Sequence, residues 1–282
     1  MQWKFWFEES VMGRKTVISL VAAALLLGMA TGCTQLKARD QLNKGVHAFK
    51  LAKYAEAVEH FKVATDLDPT FPTARLYLAT AYMSQYIPGA DSPENVEMAK
   101  NAYDQFAKVL EQDDKNGVAI ASIASMYFHQ KKWAEAEQWY KRLAKADPSN
   151  KEGLYTMGVI AWTKSFQKRM EARAKMSMKP EDPGPLKDKK VREELNAELL
   201  PVINEGMQHL ESALKIDPEY DDAMAYLNLL HRERADLQES AELYKQDTDT
   251  ADNWVQKTLE TKKIKAAKLS KATPGGIVQD AK

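Results

Sequence analysis

The sequence predicts an all-α chain of stacked helix hairpins, and three observations predict it. Ala, Leu, Glu and Lys are abundant while Gly and Pro number only 12 and 11 in 282 residues, a balance that favours helix over a β-sandwich or a doubly wound sheet. Several segments share one spacing: a small residue, an aromatic four places on, and a proline eight places further. The closing residues of those segments recur at an interval of 34, and a fixed period of that size marks a repeat array. Hydrophobic residues make up 44% and charged residues 28%, with 40 bases against 40 acids. A core can therefore be buried, and no global field draws the chain to nucleic acid.

The first segment is of another kind. Arg14 and Lys15 precede an apolar run from Thr16 to Ala30, followed by Thr31, Gly32 and Cys33, the sole cysteine. A basic start, a short apolar core and small residues at its end read as a secretory leader over residues 1–32. As a helix the run would be about 22 Å long, short of the roughly 30 Å hydrocarbon core. Glu8 and Glu9 are foreign to a leader, so translation is read from Met12. The ending "MATGC" resembles the lipobox of bacterial lipoproteins, with Ala30 where Leu is usual. That resemblance implies a diacylglyceryl thioether on Cys33 and a tether over residues 33–37. With Thr34 next and no Asp there, it favours the outer over the inner membrane. Two or three acyl chains hold a protein durably where one does not. The single cysteine excludes an internal disulfide and a thiolate metal cage.

The repeats follow. "AEAVEHFKVATDLDP" (55–69) and "AEAEQWYKRLAKADP" (134–148) align without a gap. Gly206, Leu210, Ala213 and Pro218 keep the same frame, as do Ala102, Phe106, Val109 and Asp114, and Ser240, Tyr244 and Asp252. From Asp114 to Pro148, and from Pro218 to Asp252, is 34 residues; the intervals of 45 and 70 exceed one period by 11 and 36. Ahead of four of these segments lie "ARLYLATAYM", "AIASIASMYF", "GLYTMGVIAW" and "AMAYLNLLHR". Their Leu78–Ala79–Tyr82, Ile123–Ala124–Tyr127 and Met157–Gly158–Ala161 supply the first-helix pattern, and the first repeat offers only Gly45. In this register the chain resembles the tetratricopeptide repeats over residues 38–252, although no repeat carries the usual first-helix tryptophan.

The resemblance implies a right-handed solenoid of five helix hairpins with a concave groove. Small residues let the paired helices approach, aromatics fill the gap to the next pair, and Pro ends the second helix because it lacks an N–H. Two insertions depart from the family. "QYIPGADSPENVEMAK" (about 85–98) reads as a Pro/Gly-punctuated loop. The stretch 163–205 reads as an extended αα-hairpin tipped by "KPEDPGP", with a return helix from about Lys187 disturbed at Pro201; the alternative is a degenerate sixth repeat, since 70 is also two periods and two. "NWVQKTLETKKIKAAKL" reads as a C-terminal capping helix (253–270), Asp252 as its cap, and 271–282 as a disordered tail.

Chemistry is sparse. There is no phosphate-binding Gly loop, nucleophile elbow or H-E-x-x-H. The five histidines never fall at i,i+3 or i,i+4. "DTDTAD" (247–252) lacks the Gly of a calcium loop. No catalytic residue, metal ligand or cofactor is assigned. Family groove places on the first helices fall on Phe49, Lys50, Leu76, Met83, Phe128, His129, Tyr155 and Trp162. The Lys/Asn set that clamps a terminal carboxylate in some family members is missing, with only Lys50 to contribute. An aromatic, weakly charged groove suits an apolar segment of a protein partner. The expected function is a lipid-anchored envelope scaffold for protein interaction, of the kind serving outer-membrane assembly, pilus biogenesis or secretion. The alternative is an accessory protein that contacts peptidoglycan or exported polysaccharide through the basic C-terminal helix.

Overall fold

The computed structural model describes residues 34–179 and 181–272. The leader, Cys33 and the tail beyond 272 lie outside the described residues. Within them the chain is helix and turn with no strand, and none of the described helices is long and apolar enough to cross a membrane. It divides into two compact units, one ending at Gln130 and the other beginning at Lys131.

The first unit holds α1 (34–50), α2 (Tyr54–Leu67), α3 (Pro72–Met83), α4 (Pro93–Gln112) and α5 (Gly117–His129). Consecutive helices pack on each other from α2 through to α5. The small-to-aromatic spacing does what the repeat frame requires. A Cβ added at Gly45 would sit 2.4 Å from the ring of Phe61, so only Gly lets that ring reach the α1 backbone; the same ring stacks on Tyr77 at 5.5 Å. Phe61, Phe106, Ile120 and Ile123 are fully buried.

The turn before α4 is shorter than the expected loop, because "SPEN" starts a helix. Ser92 caps it by accepting from Asn95 N at 3.2 Å, and Pro93 and Glu94 occupy the first turn, where a missing N–H and a negative charge are both favourable. The insertion therefore divides into a turn and added turns of α4. Asn95, buried, holds the turn: its amide donates to the carbonyls of Ile87 (2.8 Å) and Ala90 (2.7 Å) and accepts from Ile87 N (2.7 Å).

The second unit holds α6 (Trp133–Ala146), α7 (Lys151–Lys175), α8 (Lys189–Ile216), α9 (Asp221–Ala235) and α10 (Ala241–Ala272). Here α7 is the hub, packing on α6, α8 and α9, while α9 also packs on α8 and α10. α7 runs well past Trp162, and α8 returns beside it with the exposed Pro201 inside the helix.

This long hairpin is fastened to the end of α9 by buried charge. Arg169 donates from Nε and Nη2 to both oxygens of Glu233 (2.6 and 3.0 Å) and from Nη1 to Asp236 (2.7 Å). Arg173, 1% exposed, grips both oxygens of Asp236 through Nη1 (2.9 and 2.8 Å) and donates its remaining N–H groups to the carbonyls of Lys179 and Asp182. All five guanidinium donors thus have acceptors, which is what lets a charge be buried. Leu186, fully buried, donates its N–H to Asp236 O at 2.9 Å.

The repeat junctions turn on a residue other than proline. α2, α4, α6 and α8 end at Asp68, Asp113, Asp147 and Asp217, whose N–H bonds the carbonyl four back. Each carboxylate then accepts from the backbone N–H two residues on, at 3.0–3.2 Å, an Asx-turn that reverses the chain. This corrects the expected break at Asp252. In the fifth repeat Ala251 stands in the place of that aspartate and Asp252 in the place of the proline, so nothing stops the helix. Asp252 lies inside α10, ion-paired to Arg232 at 2.5 Å, and the capping helix is continuous with the second helix of the last hairpin.

Gly206 supplies a test of the close helix approach. A Cβ there would meet Ala161 Cβ at 2.4 Å and Leu230 at 3.1 Å, and an alanine methyl cannot swing aside. Gly206→Ala is expected to cost about 1–3 kcal/mol by overpacking, although Ala is the better helix former. Gly117→Ala, where nothing lies within 4 Å, should be neutral or stabilising; urea melts of the two variants check the contrast.

Candidate functional site

The residues expected to line a groove fall in both units. On the first unit, Phe49 is half-buried and edge-on to Tyr54 at 5.2 Å, and Lys50 is exposed. Leu76 and Met83 are half-buried on α3. Phe128 packs against its neighbour His129 at 5.8 Å. These six are spread over α1, α3 and α5.

On the second unit, Tyr155 and Trp162 are brought together through Tyr226. The ring of Tyr226 meets Tyr155 edge-on at 5.4 Å and Trp162 edge-on at 5.7 Å. Tyr155 also meets Tyr220 at 5.3 Å, and Trp162 meets Phe166 at 5.0 Å. Five rings, four on α7 and α9 and one at the N-cap of α9, thus form one row: Tyr220, Tyr155, Tyr226, Trp162, Phe166. None of the five is fully buried, and Phe166 is 38% exposed. An open cavity of about 530 Å³ beside Trp162, Phe166 and Met170 continues the row along the extension of α7.

A cation covers each end. Lys151 Nζ lies 4.8 Å over the Tyr220 ring and is neutralised by Asp217 at 2.6 Å. The Arg169 guanidinium lies 5.5 Å over Phe166 while its charge is taken by Glu233 and Asp236. Burial pushes the Tyr155 hydroxyl up, and burial with the nearby carboxylates pushes Tyr220 up to about 12. Burial also pushes the Glu233 carboxyl up, against the downward pull of Arg169.

Tyr220, Tyr226 and Phe166 were not among the expected groove residues. Phe166 is four residues beyond Trp162 and so shares its helix face, but it falls in the stretch set apart as insertion. Tyr226 stands one place on from Tyr155 in the aligned first helices, a signal the sequence does carry. Tyr220 precedes α9 as its N-cap residue, outside the repeat pattern.

The opposite side of α9 faces α10 and carries a second charged cluster. Asp247, 3% exposed, occupies the frame position held by Ala64, Val109, Leu143 and Ala213 in the other repeats. It accepts from His231 Nδ1 (3.2 Å), Arg234 Nη2 (2.5 Å) and Gln238 Nε2 (2.5 Å). Further along α10, Lys262 and Lys265 pair with Asp221, and Lys268 with Glu219, so much of the basic C-terminal stretch is spent on the helix it packs against.

Comparison with known proteins agrees with this geometry. Residues 94–151 match the family model described as tetratricopeptide repeat. The fold is a tetratricopeptide-repeat fold. A crystal structure of the MamA protein superposes with a TM-score of 0.54 at 13% identity, covering 82% of this chain and 94% of that one. A MamA structure from Desulfovibrio magneticus RS-1 (residues 41 to the end) gives 0.53 at 15% identity, covering 80% and 96%. At such identities the likeness is one of fold. No curated protein matches in sequence.

The Asp247 cluster makes a pH prediction. Burial alone would raise its carboxyl, but hydrogen bonds from His231, Arg234 and Gln238 outweigh it and hold it at about 2. A carboxyl that titrates below its unfolded value contributes stability that is full above about pH 4 and is lost as pH falls through about 2. Asp247→Asn should therefore lose about 2 kcal/mol at pH 7 and show a shallower decline in stability below pH 4 than the parent, as measured by urea melts across that range.

Proposed function

We propose that this chain is an envelope-tethered interaction scaffold, which holds a segment of a partner protein on the row of rings between α7 and α9. The observation that carries the reading is the row itself. Large, rigid aromatic side chains lose little entropy on binding and are the anchors of protein interfaces, and here five of them stand together on the first-helix surface with their charged neighbours neutralised. The row contains no Ser, Cys or His, and among the described residues no group of His, Cys, Asp and Glu could hold a metal ion. Affinity would come from apolar burial on the rings, and orientation from the anchor.

The anchor is the leader-and-cysteine sequence: Arg14 and Lys15, the apolar run, then Thr31, Gly32 and Cys33. A diacylglyceryl group on Cys33 would hold the repeats at the outer membrane, facing the periplasm, with 33–37 as a short tether. In that position the scaffold would serve assembly or export of other envelope proteins.

Both parts are testable in one strain set. A photo-crosslinking amino acid replaces Phe166, or, as a control, Glu260 on the exposed side of α10, each with and without Cys33→Ser. The expected result is a discrete protein adduct from position 166 that position 260 does not give, and a detergent-phase partition that the Cys33→Ser variant loses. Adducts of the same pattern from both positions would overturn the site. Partition into the aqueous phase with Cys33 intact, no different from that of the Cys33→Ser variant, would overturn the anchor.

A further inference from the structure

The geometry points to the class of segment the row accepts: we infer that it is a proline-containing stretch in the polyproline II conformation, with a Lys or Arg at the end that lies by Tyr220. This inference rests on the scaffold reading above and names the chemistry of the partner at that same site.

Spacing is the first argument. Along α7, Tyr155 and Trp162 are seven residues apart, about 10.5 Å at 1.5 Å per residue. Polyproline II advances 3.1 Å per residue and repeats every three, about 9.3 Å per turn. Prolines one turn apart on such a segment project from the same ridge, and two successive ones come close to the spacing of these two rings, with Tyr226 between them. Phe166 and the open cavity beside Met170 then take a further apolar side chain.

Hydrogen bonding is the second. A polyproline II backbone makes no internal hydrogen bonds, so its carbonyls seek donors. The row supplies them from the hydroxyls of Tyr220, Tyr155 and Tyr226, which stand along it at 5.3 and 5.4 Å ring spacing and are protonated at neutral pH. An α-helical segment would arrive with its carbonyls already used and would make less use of those donors.

Charge is the third. The two cations over the row are neutralised, Lys151 by Asp217 and Arg169 by Glu233 and Asp236. Glu152, Asp217, Asp221 and Asp222 all act on the Tyr220 hydroxyl; Lys151 pairs with Asp217 and lies 3.9 Å from Glu152, and Lys262 and Lys265 pair with Asp221, so the surplus charge at this end is that of Asp222. Glu152 and Asp222 are exposed, and among the described residues no base lies within ion-pair distance of Asp222. A cation on the ligand is the complement of that end.

Isothermal titration of the purified full-length chain tests this, using a synthetic peptide with Pro at every third position and Arg at one terminus. The comparison ligands are the same peptide with Ala for Pro, an amphipathic helical peptide, and a β-1,4-linked N-acetylglucosamine oligomer. The inference expects saturable binding of the proline peptide alone, weakened about tenfold or more by Trp162→Ala and by Asp222→Lys. Asp222 is exposed and Tyr226→Phe removes only a hydroxyl, so those two variants report even if Trp162→Ala fails to fold. Binding of the helical peptide in place of the proline peptide would sink the inference and leave the scaffold standing. Binding of the oligosaccharide alone would sink both, and binding of the Ala and Pro peptides with equal affinity would overturn the polyproline assignment.

Discussion

The arginine–carboxylate network at the end of α9 is the contact on which the second unit depends. Two guanidinium groups and two carboxylates are taken out of water together, Arg169 and Arg173 from α7 against Glu233 and Asp236 beside α9. Removing an ion from water costs several kcal/mol, and the interior repays it only where geometry and hydrogen bonding are complete. Here the four charges cancel, one pair is bidentate, and Arg173 spends its other donors on carbonyls of the turn that follows α7. The network is thus less a source of net stability than a specification. It fixes which turn of the long α7 lies against the end of α9, and it ties down the connection to α8.

The aromatic row is the consequence. Trp162 and Phe166 lie seven and three residues ahead of Arg169 on α7, and Tyr226 lies seven residues ahead of Glu233 on α9. Trp162 and Tyr226 are each about two turns from the ionic clasp, so register set at one end is carried rigidly to the rings. A long hairpin inserted into a repeat array would ordinarily loosen it; this one is bolted near the far end of α7, next to its own connection. The Asp247 cluster works on the other side of α9, replacing a small apolar residue of the repeat frame with a carboxylate that His231, Arg234 and Gln238 satisfy. α9 is therefore held by charge on two sides, and the tetratricopeptide frame tolerates this because the buried carboxylates of both clusters have partners.

The repeat frame was legible because it is written in apolar and small residues at fixed spacing: Gly45 under Phe61, Gly206 against Ala161, Phe106 and Ile123 in the core. The end of each second helix was legible only in part. Proline marks the place, but the preceding aspartate makes the turn, and the second repeat, which keeps Asp113 and has Asp114 where the others have proline, separates the two. The "SPEN" cap was present in the sequence and was outweighed by the Pro and Gly before it. Of the groove, Tyr155 and Trp162 were legible from family places, while Phe166 lay in what reads as an insertion. The ionic clasp was not legible. Arg169 and Arg173 at i,i+4, or Glu233 and Asp236 at i,i+3, look like any solvated helix face, and only the meeting of two helices more than sixty residues apart in the chain turns them inward.

Hydrogen exchange on Arg173→Met tests most directly whether that clasp sets the second unit. Exchange would be followed by mass spectrometry over α7, the 176–188 connection and α9, in the parent and the variant. If the clasp holds α7 to α9, the variant loses protection across the connection and in the last turns of both helices, spreading back towards Trp162 and Tyr226, while α2 to α5 exchange as before. Unchanged protection from Trp162 to Leu186 would contradict the account, for it would mean that apolar packing alone fixes the hairpin and the row.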